Sequence, residues 1–292
     1  MRVFVSSQVQ SVSALCMVEI NRWGLAFKFT KGKNKTKANI LVNFYTDRGD
    51  MGVVKAAIGD GVMTFMWVFC ASTLGATTSV IATAIGIQGM ASLLITISLV
   101  FILLLIFGVI GDALGGASFN PTGTAAFYAA GLGRDTLISA AVRFPAQALG
   151  AVGGALAIAE VMPLKHKHKL GGPSLKVDQH TGAIAEGVLT FLTSFLVLCI
   201  ILKGPKNPLM KNFMLSTSIV TMVVAGSGYT GPSMNPANAF GWAYVNNRHD
   251  TWEHFYVYWI CPFVGAIVAG WVFRLFFPHQ MKTKTKTKPK KA

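Results

Sequence analysis

Two asparagines, each followed by proline, occur in the same short pattern at two places in the chain. Residues 118–122 read SFNPT and residues 233–237 read SMNPA, 115 positions apart. An Asn side-chain oxygen can cap a short helix, and Pro at the first helical position sacrifices no hydrogen bond. The Asn amide group is then left to donate a hydrogen bond. Each pattern predicts a short helix with a donor at its capped end, formed by Asn120, Pro121 and Thr122 in the first motif and by Asn235, Pro236 and Ala237 in the second motif.

The flanking residues extend this repeat through much of the chain. The spacing of 115 also aligns Gly116 with Gly231 and Gly150 with Gly265. A second spacing, of 126, aligns the segment 60–65, DGVMTF, with the segment 186–191, EGVLTF. An isolated Asn-Pro pair is common at turns, but a shared register over so many positions indicates two related halves.

The composition predicts a protein embedded in a membrane. Hydrophobic residues make up 52% of the 292 residues, charged residues make up 13%, and the mean hydropathy is +0.52. A segment that crosses a bilayer needs about 20 mostly apolar residues. The chain offers six such segments, which predicts an all-α membrane protein with spans at roughly 56–81, 91–110, 136–160, 183–202, 210–226 and 254–277.

Three spans in each half have a consequence for the orientation of the two motifs. An odd number of spans places the second half upside down relative to the first, which is an inverted repeat. The two motifs then form re-entrant half-helices that meet near the membrane midplane, where two helix dipoles and two Asn donors repel cations and interrupt proton transfer along water. We expect three regions: a flexible N-terminal extension at 1–50, a channel domain at 51–278 with halves at about 51–160 and 183–277, and a Lys-rich cytosolic tail at 279–292.

The net charge of +15 is concentrated in the tails and loops. No basic face with interleaved aromatic residues is evident, so we expect no nucleic-acid partner. Lys and Arg in the first 50 residues, in the loop after the fourth span and in the tail all fall on one side of a six-span protein. The positive-inside rule then predicts that both termini are cytosolic, although four lysines between the third and fourth spans lie on the opposite side.

The motifs, the acids Asp60 and Glu186 and the Lys-rich tail resemble those of the aquaporin, or major intrinsic protein, family. The detail is most similar to the plant small basic intrinsic proteins, over about Met51 to Phe277, with Thr122 as the variant end of the first motif. The resemblance implies a homotetramer in contact with membrane lipid, each protomer with its own pore for water or a small neutral solute. It also implies the endoplasmic reticulum membrane. The four cysteines are scattered and show no metal-ligand spacing, and we expect no cofactor or metal.

The resemblance also implies an outer constriction beside the second motif. Family water channels usually have Arg three residues after the second Asn, whereas this chain has Asn238. The other members by position are Val223, Pro232 and a residue of the second span, either Leu99 or Val100, of which we adopt Val100. This set, Val100, Val223, Pro232 and Asn238, is the outer constriction below. Its low polarity leaves room for small amphiphilic solutes as well as water.

Two assignments remain open from sequence alone. Thr122 either narrows the pore or forms a hydrogen bond within its own helix. Asp60 and Glu186 could relay protons, because an intramembrane acid is a functional candidate. A scaffold role is the stronger interpretation, since a carboxylate can accept hydrogen bonds from the unpaired N–H groups of a re-entrant loop.

Two other functions compete with a passive channel. A secondary transporter also uses inverted repeats and broken helices, but coupling to ions needs charged groups that face a cavity. A non-conducting membrane tether would follow if Thr122 and the outer constriction closed the pore. An enzyme is not expected, because the spans contain no recognisable catalytic set of residues.

Overall fold

The computed structural model describes residues 52–132 and 135–278, together with four short strands near the N-terminus. The strands are β1 (Val3–Ser6), β2 (Ala14–Asn21), β3 (Gly24–Lys31) and β4 (Ile40–Leu41), and they pair antiparallel in that order. These strands were not predicted from the sequence, which indicated only a flexible extension. The predicted tail at 279–292 lies outside the described residues.

Six helical segments are long and apolar enough to cross a membrane, which confirms the number predicted from the sequence. Every boundary lies within four residues of the prediction, and the largest difference is at the start of the fourth span. The segments are Val53–Ala84, Gly89–Ala113, Leu137–Val161, Gln179–Lys203, Pro208–Gly226 and Trp252–Phe276.

The described region from residue 52 onward is helical. Two short helices, which start at the prolines of the two motifs, lie between the second and third spans and between the fifth and sixth. The helices are α1 (Val53–Ala71), α2 (Leu74–Ala84), α3 (Ser92–Ala113), α4 (Pro121–Ala129), α5 (Leu137–Val161), α6 (Leu164–Lys167), α7 (Gln179–Lys203), α8 (Pro208–Gly226), α9 (Pro236–Val245), α10 (Trp252–Phe255) and α11 (Cys261–Phe276).

Side-chain caps fix where several of these helices begin. The Asn207 oxygen accepts hydrogen bonds from the first turn of α8, and Thr136 does the same for α5. Asp178 caps α7, where hydrogen bonds from the side chain and backbone of Thr181 lower the pKa of its carboxyl. These contacts satisfy N–H groups that have no partner inside the helix.

Glycines bring the long helices of each half into close contact. A Cβ atom on Gly150 of α5 would overlap the carbonyl oxygen of Gly61 on α1. The equivalent Gly265 of α11 stands in the same relation to Gly187 of α7. Because both crossings exclude a side chain at the same repeat position, the two halves share one packing scheme, as the sequence repeat predicted.

Candidate pore site

The capped ends of α4 and α9 meet through two reciprocal hydrogen bonds. The side-chain nitrogen of Asn120 donates to the carbonyl oxygen of Met234 at 3.1 Å. The side-chain nitrogen of Asn235 donates to the carbonyl oxygen of Phe119 at 2.9 Å. Each Asn therefore binds the residue that precedes the other Asn, and these bonds join residues more than 110 positions apart in sequence.

Each asparagine caps its own helix with its side-chain oxygen. Oδ1 of Asn120 accepts from the backbone N–H of Thr122 at 3.0 Å. Oδ1 of Asn235 accepts from the N–H groups of Ala237 and Asn238 at 3.1 and 3.3 Å. Capping uses the oxygen and the reciprocal contact uses the nitrogen, so one side chain fulfils both tasks.

Thr122 makes its polar contacts within the site. Its side chain is only 2% exposed. Its hydroxyl lies 2.8 Å from Oδ1 of Asn120 and 3.0 Å from the carbonyl oxygen of Met234. A hydroxyl has one hydrogen to donate, so it serves one of these acceptors at a time. The hydroxyl therefore lies within reach of its own helix cap and of the other motif.

Glu186 of α7 binds the loop that leads into the second motif. Oε1 accepts from the Thr230 hydroxyl at 2.8 Å and from the Ser233 N–H at 3.0 Å, and Oε2 accepts from the Met234 N–H at 3.1 Å. Met234 has a φ of 49°, in the left-handed region that residues other than glycine rarely adopt. The buried carboxylate therefore holds a strained backbone segment directly before Asn235.

Asp60 of α1 holds the first motif in the equivalent way. Its Oδ1 accepts from the Ser118 N–H at 2.8 Å, which repeats the contact of Glu186 with Ser233. Unlike Glu186, it is also paired with an arginine: Nε and Nη2 of Arg143 each lie 2.7 Å from a carboxylate oxygen. Gln147 adds a further donor at 2.7 Å.

Sequence reasoning did not assign a role to Arg143. The side chain is fully buried in α5 and its Nη1 also reaches Asp135 at 2.6 Å. The repeat register places Tyr258 at the equivalent position of the second half, where its hydroxyl donates to the Thr230 carbonyl at 3.2 Å. A buried arginine within a span needs a partner of opposite charge, and this requirement could have marked Arg143 as a functional or structural residue from the sequence. The identity of the partner, 83 positions away, was not evident from the sequence.

The residues predicted to form the outer constriction lie on three helices, α3, α8 and α9, and on the loop before α9. Pro232 is buried against Gly226 at the end of α8, the helix that also carries Val223. The Asn238 side-chain nitrogen donates to the Ser233 hydroxyl at 3.3 Å. Val100 of α3 is 5% exposed, and α3 packs against α8. Its neighbour Leu99 is half-buried, so burial alone does not decide between the two.

Three histidines lie near the start of the sixth span. His254 is 4% exposed, and Phe240 lies between it and His249 at ring distances of 5.9 and 6.0 Å. His180 Nδ1 is 3.3 Å from the Tyr256 hydroxyl. Among the described residues, no three His, Cys, Asp or Glu side chains could hold a metal ion together. His249 and His254 thus pack against an aromatic ring, and His180 contacts a tyrosine hydroxyl.

Comparison with known proteins gives consistent matches over most of the chain. The model of the family described as "Major intrinsic protein" matches residues 49–273. "Aquaporin SIP1-1" of Zea mays is 62% identical over 237 residues, which cover 80% of this chain and 97% of that protein. "Aquaporin SIP1-1" of Arabidopsis thaliana is 56% identical over 240 residues, 82% of this chain and 99% of that protein. The X-ray structure of the aquaglyceroporin from Plasmodium falciparum aligns with a TM-score of 0.57 at 20% identity, and covers 77% of this chain and 96% of that one.

Proposed function

Because this chain belongs to the major intrinsic protein family, whose members are transmembrane channels for water or small solutes, we propose that it is a passive channel for water and other small uncharged solutes that excludes ions and protons at its paired motifs. The reciprocal contact of Asn120 and Asn235 across the two half-helices carries this proposal. That contact brings two helix N-terminal ends and two amide donors to one point in the bundle.

The capped ends of α4 and α9 meet at Asn120 and Asn235, and this point is called the motif junction below. In this proposal it excludes ions and protons. Each Asn amide has two hydrogens, and the reciprocal contact uses one of them, so the other can donate to a passing molecule. The positive ends of two helix dipoles repel cations at this point. A water molecule that accepts from both amides is oriented against passing a proton along the file. The pore residues in this proposal are Asn120, Pro121, Thr122, Asn235, Pro236 and Ala237.

In this proposal the motif junction and the outer constriction both select solutes. None of Val100, Val223, Pro232 and Asn238 carries a charge, so in this proposal the barrier to ions lies at the motif junction. A constriction of low polarity can contact the apolar part of an amphiphilic neutral solute, which leaves room for such solutes as well as water.

The two intramembrane acids act as scaffolds in this proposal. Both carboxylates are fully buried and accept several hydrogen bonds, Asp60 from Ser118, Arg143 and Gln147 and Glu186 from the second-motif loop. A carboxylate occupied in this way is poorly placed to bind a coupling ion. This argues against a secondary transporter, which needs charged groups that face a cavity.

The assembly and location complete the proposal. We expect a homotetramer in the endoplasmic reticulum membrane with both termini in the cytosol. The distribution of Lys and Arg supports this orientation, because the loop after the fourth span contains Lys203, Lys206 and Lys211 on the same side as both tails.

Stopped-flow light scattering of proteoliposomes under osmotic shock tests the proposed function. The full chain is compared with Asn235→Asp, which keeps a capping oxygen but replaces the amide donor with a negative charge. We expect Asn235→Asp to lower the water permeability by about tenfold. The matched control is Asn246→Asp, the same chemical change at an exposed residue beyond the end of α9, which should leave the permeability unchanged.

The alternatives give different results in the same vesicles. A secondary transporter would move solute at a rate that depends on an imposed ion gradient. Vesicles that contain a non-conducting tether would shrink no faster than empty vesicles under any osmolyte. Either result would contradict a passive channel.

A further inference from the structure

Three aromatic rings pack together beside the motif junction. The rings of Trp67 and Phe119 are stacked, with centroids 4.0 Å apart and planes 16° from parallel. Phe107 of α3 contacts both edge-on, at centroid distances of 5.3 and 6.0 Å. These three residues are called the aromatic wall below.

The aromatic wall is directly attached to the junction. Phe119 precedes Asn120 in sequence, and its carbonyl oxygen accepts the 2.9 Å hydrogen bond from Asn235. The ring of Phe119 therefore extends from the same residue that joins the two half-helices. Because Trp67 stacks on this ring, it is held next to the junction as well.

The position of Trp67 on α1 directs it into the bundle. The outward face of α1 is marked by exposed apolar side chains, at Val54, Ile58, Val62 and Phe65. At about 100° per residue, Trp67 lies roughly 180° around the helix from Ile58. Its side chain is nevertheless only partly buried, although it faces inward. Trp67 therefore has the placement expected of a pore-lining residue, since it faces inward, is partly exposed and lies beside the residue whose carbonyl oxygen binds Asn235.

The second half has no comparable bulk at the equivalent positions. In the repeat registers Thr193 is the equivalent of Trp67, and Met234 is the equivalent of Phe119. The Thr193 hydroxyl lies 3.0 Å from the Met234 sulfur. Thr is much smaller than Trp, and Met is unbranched and flexible. The first half thus has rigid rings at these positions, where the second half has smaller or more adaptable side chains.

This inference rests on the proposed function as a channel. We propose that Trp67, held by Phe119 and Phe107, sets the size limit for solutes in this pore, and that the outer constriction does not. Trp67 is a specificity-determining residue that admits water and retards neutral polyols of the size of glycerol. A stacked indole cannot rotate aside without losing its contact with Phe119. The side chains of the outer constriction are small by comparison, and Val223 is 41% exposed.

The test measures glycerol and water permeability in proteoliposomes that contain the full chain. We expect Trp67→Ala to raise the ratio of glycerol to water permeability by about fivefold or more. Trp67→Phe retains a ring that can stack on Phe119 and should keep the wild-type ratio within about twofold. Phe119→Leu, which removes the support for Trp67, should shift the ratio in the same direction as Trp67→Ala and serves if that variant does not fold.

Val223→Ala is measured beside these variants; it removes two methyl groups from the outer constriction and should change the ratio less than Trp67→Ala does. The inference is overturned if Trp67→Ala and Phe119→Leu leave the ratio unchanged in vesicles whose wild-type protein conducts water. It is also overturned if Val223→Ala raises the ratio and the wall variants do not. Failure of the proposed function is a separate result, in which wild-type vesicles shrink no faster than empty ones.

Discussion

A single buried arginine makes the two halves of the bundle chemically different. Both halves use a carboxylate to hold the loop before the motif, but only Asp60 is paired with a guanidinium group, from Arg143. The second half has Tyr258 at that position and no cation bonded to Glu186 among the described contacts. Removing one partner of a buried ion pair leaves a charge whose desolvation is no longer compensated.

Arg143→Met should therefore destabilise the protein strongly. The change removes two hydrogen bonds to the Asp60 carboxylate, and we expect a loss of about 3 kcal/mol in the free energy of unfolding. Thermal unfolding in detergent measures it. Arg274→Met makes the same change at an exposed arginine of α11 and should have little effect. Equal stability of the two variants would mean that the ion pair does not hold the first motif.

The sequence could predict contacts that the repeat preserves, and it could not predict those that break the repeat. Asp60 and Glu186 align by register, so a shared scaffold role was foreseeable from their position. The first half has Arg143 where the second half has Tyr258, and Trp67 where the second half has Thr193. The roles of Arg143 and Trp67 therefore could not be inferred from the other half. The stack of Trp67 on Phe119 depends on packing between segments 52 positions apart, which no local pattern encodes.

At the scale of helices, close crossings determine how the half-helices are held. The crossing of α1 and α5 places Gly150 against the Gly61 carbonyl, one residue after Asp60. Any separation of these helices would move Asp60 away from Arg143 on α5 and from Ser118. The geometry of the first motif therefore depends on a glycine that is remote from the pore in sequence.

Gly150→Ala tests this dependence. The added Cβ would overlap backbone atoms that cannot move without shifting α1, so we expect a loss of about 2 kcal/mol or more in stability. The control is Gly75→Ala in α2, where an added Cβ meets nothing within 4 Å. That variant should be neutral or slightly more stable, since Ala favours helix more than Gly does. Thermal unfolding of the two variants in the same detergent compares them, and equal losses would contradict the account.

Element boundaries were predictable for the spans because hydropathy alone defines them. The starts of α4 and α9 were predictable because Asn-Pro is a helix-start signal. The four N-terminal strands were not, since their apolar runs are short and interrupted by polar residues. Strand pairing between separate segments leaves a weaker local signal than helix capping does.

The whole molecule is an inverted repeat whose two halves meet at one junction. Its family membership rests on a match over residues 49–273 and on relatives that are more than half identical over most of their length. We propose that the motif junction excludes ions and that the aromatic wall limits the size of solutes. The first assignment requires water to cross the bundle without an accompanying proton.

Water and proton flux measured in the same vesicles show whether the bundle conducts water without protons. Proteoliposomes containing the full chain and an internal pH-sensitive dye are subjected first to an osmotic shock and then to a pH jump. The account predicts water efflux about fivefold faster than from empty vesicles, with a proton leak equal to theirs. Water efflux equal to that of empty vesicles, or a proton leak that rises together with it, would contradict the account.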